Sequence, residues 1–148
     1  MSPATFREVI RPPLWLIAFL YFMLYSLVLA IWAAFDNLTA VVAALTALVI
    51  GAAVIFLMQG EINCDGDELR VGRAHIGYEF CGEVTVLSRA EFLRARTREV
   101  DPAAHLALFF WVSEGVKIEV TDPRDPTPYW LISTKHGEDI KQALKEKR

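Results

Sequence analysis

Two uninterrupted apolar runs dominate the pattern of this chain. Residues 14–35 and 38–58 hold no charged side chain, and only Asp36-Asn37 separates them. Each run is about 21 residues long, and as a helix would span ~31 Å, close to the hydrocarbon thickness of a bilayer. The pattern predicts a transmembrane hairpin: an N-terminal cytoplasmic tail over 1–13, spans over 14–35 and 38–58, an outer turn at 36–37, and a cytoplasmic domain over 59–148. Pro12-Pro13 suit the start of the first helix, where missing N–H groups cost nothing. The first run exceeds the ~7–15 apolar residues of a signal peptide, and a second follows at once, so a retained anchor is expected.

Beyond Met58 the period becomes strand-like. Strands are expected over 61–64, 68–71, 74–80, 83–87, 105–112, 116–121 and 129–133. Asp65-Gly66 and Gly72-Arg73 read as tight turns. Ser88-Arg89-Ala90-Glu91 has the form of a capping box and opens a short helix that ends before Asp101-Pro102. The loop 122–128 holds three prolines and cannot join a ladder. Residues 137–147 read as an amphipathic helix with Ile140, Ala143 and Leu144 on one face. The fold class expected is membrane α+β. The hairpin is followed by a small antiparallel barrel or sandwich of about seven strands. Its plan is pleckstrin-homology-like, with a C-terminal helix closing it and Tyr129-Trp130 entering the core.

Charge orients the hairpin. Arg7 and Arg11 flank the first span, Arg70 and Arg73 follow the second, and the turn between has Asp36 and no Lys or Arg. Basic residues favour the cytoplasmic side, so a cell-membrane protein with both termini in the cytoplasm is expected. Trp15 and Trp32 then lie near the inner and outer interfaces. Ser26, Ala30 and Ala34 recur every fourth residue in the first span, as do Ala43, Ala47 and Gly51 in the second. Small residues at that spacing let helices approach closely in lipid. Packing within the hairpin is the expected use, with a partner's helix as the alternative. No Asp, Glu, Lys, Arg or His lies inside a span, which removes the usual mark of an ion or proton pathway.

Little chemistry stands out in the domain. A net charge of −3 with mixed signs excludes a nucleic-acid footprint. Cys64 and Cys81 have neither CxxC spacing nor a companion His, and read as two partly buried thiols. Asp65, Asp67 and Glu68 lack the spacing of a calcium loop. His75, His105 and His136 are scattered, and none of Ser88, Ser113 or Ser133 has a nucleophile's setting. No phosphate loop is present. Arg94, Arg96 and Arg98, with Arg70 and Arg73, are the candidates for anionic headgroups, each contributing about 1 kcal/mol near a leaflet. No catalytic, cofactor-binding or metal-binding residue is expected.

Three segments carry a family resemblance. They are Phe6-Arg7-Glu8 through Arg11-Pro12-Pro13 and Trp15; Gly66-Asp67-Glu68-Leu69-Arg70-Val71-Gly72-Arg73-Ala74 on to Gly82-Glu83-Val84; and Val120-Thr121-Asp122-Pro123 with Asp125-Pro126-Thr127-Pro128-Tyr129-Trp130-Leu131-Ile132-Ser133-Thr134. The chain resembles the actinobacterial membrane-protein family known as domain of unknown function 3093. That resemblance implies two membrane helices and a cytoplasmic domain. It implies no activity, so no catalytic residue is carried over. The expected function is therefore a non-enzymatic membrane protein whose domain binds a partner protein, as an accessory subunit of a membrane complex. An anionic-lipid-binding module and an enzyme with an unrecognised site are the alternatives.

Overall fold

A computed structural model describes residues 6–147. The first five residues of the expected tail, and Arg148 at the end of the expected domain, lie outside them. The chain forms two compact units: Arg11–Gln59, and a second built from the residues before Arg11 together with those from Gly60 onward.

The first unit is a helical hairpin of α1 (Leu14–Ala34) and α2 (Asn37–Leu57). Both are long and apolar enough to cross a membrane. Pro13 caps α1 with extended backbone, and its carbonyl accepts from Leu16 and Ile17 N–H at 3.0 and 3.2 Å. No residue of α1 is buried, and in α2 only Ala40 and Gly51 are.

Among the described residues the second unit holds eight strands in two sheets. The first sheet, in order β1-β2-β3-β4, contains β1 (Phe6–Ile10), β2 (Gly60–Asp65), β3 (Glu68–Val71) and β4 (Ala74–Gly77). The second, in order β5-β7-β8-β6, contains β5 (Cys81–Leu87), β6 (His105–Ala107), β7 (Gly115–Val120) and β8 (Tyr129–Ser133). Helices α3 (Arg89–Thr97) and α4 (Gly137–Glu146) complete it. Ile62, Leu69 and Ile76 of the first sheet share one core with Val116, Ile118, Trp130 and Ile132 of the second, and α4 adds Ile140, Ala143 and Leu144. On the other side of β8, Tyr129 and Leu131 meet Phe92 of α3. With both faces covered, all five residues of β8 are buried.

Several expectations are corrected. Part of the tail is a strand: β1 pairs antiparallel with β2 from Phe6↔Cys64 to Ile10↔Gly60. Its alternating exposure marks a half-buried strand, but its partner lies some fifty residues away, beyond the hairpin. The strands form two open sheets and no closed barrel among the described residues. Nor is every pairing antiparallel, since β6 runs parallel to β8. The expected strand over 105–112 stops at Ala107, because the Phe109 N–H leaves the ladder for Ser133 Oγ at 2.9 Å. The third strand ends at Gly77, and Tyr78–Phe80 is a 3-10 turn. The β2–β3 turn is centred one residue later than expected. Asp65 pairs with Glu68, and Gly66 takes φ 60° at the first central position, where a type II′ turn calls for glycine.

Candidate functional site

In the hairpin, large residues meet small ones. The inward face of α2 carries Ala43, Ala47 and Gly51, the first two half-buried and the last buried. Opposite them α1 turns larger side chains: Leu16, Ile17, Leu20, Tyr21, Leu24, Val28 and Ile31 are its half-buried positions. Tyr21 lies so close to Gly51 that a Cβ there would meet its ring at 2.7 Å. The α1 stripe is not at this seam. Ser26, Ala30 and Ala34 are all exposed, and the Ser26 hydroxyl donates back to Phe22 O at 2.8 Å. Spacing in sequence identifies a face of small residues; which face turns inward depends on what the other helix offers, and α2 offers holes.

The end of the hairpin is fastened by polar groups. Trp32 Nε1 donates to Asn37 Oδ1 at 2.8 Å, and the Thr39 hydroxyl donates to the Asp36 carboxylate. That hydroxyl holds the Asp36 carboxyl below its ordinary range.

The basic candidates do not converge. Arg70 is on β3, bonded to Glu68 at 3.2 Å, and Arg73 is in the β3–β4 turn. Arg94, Arg96 and Arg98 belong to α3 and its C-cap, which packs on β5 and β7 of the other sheet. On a helix Arg94 and Arg98 share a face, whereas Arg96 points roughly 160–200° away from both. Its guanidinium stacks over Phe92, 5.8 Å from the ring centroid.

A polar cluster joins residues far apart in sequence. Glu8 on β1 accepts from the Thr134 hydroxyl at 2.5 Å and contacts His136 Nδ1 at 3.1 Å. The His136 backbone N–H donates to Thr134 Oγ1 at 3.0 Å. Thr134 is buried and Glu8 nearly so, so the cluster fastens β1 to the β8–α4 junction. No local signal in the sequence reveals it: Glu8 lies in the expected tail, His136 just before the last expected helix, and nothing links the two. Two other candidates have structural partners. Ser88 caps α3, completing a capping box with Glu91, and His105 stacks on Trp130 with centroids 4.5 Å apart.

Cys64 and Cys81 are both buried. Burial pushes the Cys64 thiol up to about 11, partly offset by the positive charge of Lys147. The Lys147 ammonium donates to Cys64 O at 3.2 Å and Gly66 O at 3.3 Å. Among the described residues no three His, Cys, Asp or Glu side chains gather as a metal set.

Two long apolar helices, then a two-sheet α+β domain closed by a helix, define the class. The chain belongs to the family described as "Protein of unknown function (DUF3093)", whose profile matches residues 5–144. No curated protein and no solved structure matches it.

Proposed function

We propose that this is a non-enzymatic protein of the cell membrane, anchored by its hairpin with both termini in the cytoplasm. In this reading the domain over 59–148, of pleckstrin-homology-like plan, binds a partner protein as an accessory subunit of a membrane complex. One observation carries it: Ser26, Ala30 and Ala34 form an exposed face of small residues four apart on α1. In lipid, helices associate through close approach at such positions. The hairpin does not use this face, so it is available to a partner's helix. Arg7, Arg11, Arg70 and Arg73, against Asp36 in the turn, support the orientation.

A photo-crosslinking residue at Ala30 of the full-length protein, followed by purification in mild detergent, tests the association. A crosslinked partner is expected, and Ala30→Leu should abolish its recovery while the protein still folds. Recovery of the protein alone in several detergents overturns the reading. Orientation is tested separately. Asn37→Cys should be labelled from outside the cell and Lys147→Cys should not; the opposite pattern reverses the topology.

A further inference from the structure

We infer that the aromatic turn over 109–112 is an interfacial anchor, seated in the headgroup layer of the bilayer. The turn is closed by the Val112 N–H donating to Phe109 O at 3.0 Å, which puts Phe110 and Trp111 at its two central positions. Those positions ordinarily face water and hold Gly, Pro, Asn, Asp or Ser. Here Phe110 is 62% exposed, and nearby Leu106 is 43% exposed. No Lys, Arg, Asp or Glu occurs over 105–113, so moving this segment out of water desolvates no full charge.

The exposure is built in. Phe109 is pinned through its N–H to Ser133 Oγ, and its ring lies directly over Gly60, where a Cβ would sit 2.0 Å from Cζ. Trp111 packs against both phenylalanines, tilted 45° to Phe109 with centroids 5.3 Å apart and edge-on to Phe110 at 4.9 Å. Its indole N–H is buried without a partner among the described residues.

Connectivity sets the occupant. Gly60 comes three residues after Leu57, the last residue of α2, so the chain between them reaches at most ~11 Å. Ile10, paired with Gly60, stands four residues before α1 begins. Apolar groups at a bilayer surface bury ~5–10 Å into the headgroup boundary. The turn held on Gly60 is therefore tied close to the surface from which α2 emerges, and Phe and Trp favour that layer.

This inference rests on reading α2 as a span, and the test separates the two. Full-length protein is placed in vesicles of equal parts phosphatidylcholine and phosphatidylglycerol. An environment-sensitive fluorophore is attached at Phe110→Cys, at Glu119→Cys, or at Ile50→Cys inside α2; the two native thiols are buried. The label at 110 should emit to the blue and be quenched by lipids spin-labelled near the carbonyl, while the label at 119 should do neither. Quenching at 50 by deep spin labels, with water-like emission at 110, overturns the anchor and leaves the span intact. Loss of quenching at 50 overturns the span and the anchor with it. A label at 110 shielded in native membranes but not in pure lipid assigns the turn to a protein partner, and overturns the inference too.

Discussion

The hairpin and the sheet domain use the same side chains under opposite rules. In α1 no residue is buried, and Phe22 and Trp32 are 62% and 56% exposed. In the domain Ile62, Leu69, Leu131, Ile132 and Ile140 are wholly buried. Water imposes the second pattern, since each Å² of apolar surface removed from it is worth about 25 cal/mol. In the proposed bilayer setting, lipid already solvates leucine and phenylalanine, so the hairpin gains little by hiding them and depends on fit. One region is held by area, the other by a few close approaches such as Tyr21 on Gly51.

Truncating equivalent side chains in the two regions gives the largest contrast. Ile132→Ala should destabilise the protein by about 2–5 kcal/mol, by lost transfer energy and a residual cavity. Leu29→Ala, on the outer face of α1, should stay within about 0.5 kcal/mol. Urea unfolding of the full-length protein in detergent measures both, and equal losses would erase the distinction.

Next comes alkaline sensitivity, to which the buried Cys64 thiol should contribute. The folded-state pKa of Cys64 is raised from 9.0 to about 11, so above pH 9 the unfolded chain sheds its proton first. Stability is retained below pH 9 and falls as pH rises through about 11, by up to roughly 3 kcal/mol. Unfolding compared at about pH 8.5 and about pH 10.5 should show this loss, and Cys64→Ala should flatten it. An unchanged slope in the variant would place the alkaline loss elsewhere.

Gly51→Leu addresses the rule of fit. The new side chain meets the Tyr21 ring, and overpacking of this kind costs about 1–3 kcal/mol. Tyr21→Ala in the same chain should restore much of that loss. Cysteine crosslinking between α1 and α2 reads the separation directly, and no rescue would mean that the seam does not run through this pair. The smallest effect is Ser88→Ala, which removes the capping box of α3 for about 1 kcal/mol. Thermal unfolding should register it while leaving crosslinking between α1 and α2 unchanged.

Legibility in the sequence followed the range of the interactions. The two long helices, the Gly72-Arg73 turn, the cap at Ser88 and the apolar face of α4 are each written in a few neighbouring residues, and the structure carries all of them. Three features were set at long range and were missed. β1 reads as a tail because its partner follows the whole hairpin. The run over 105–112 is as apolar as a buried strand, yet only contact with Ser133 and Gly60 turns it into an exposed aromatic corner. The small residues of α1 are regularly spaced, but the bulk they would have to meet sits on their own helix.

The pairing of Ile10 with Gly60 has a mechanical consequence. The two chain ends that enter the hairpin leave one rung of one ladder, so β1 and β2 close residues 11–59 into a loop clasped at its base. Drawing α1 and α2 apart at that end would unzip the ladder rung by rung, beginning with this pair. The far end is held as well, by the short turn itself and by the Trp32–Asn37 and Thr39–Asp36 hydrogen bonds. Glu8, held by Thr134 and His136, bolts this clasp to the β8–α4 junction of the sheet domain.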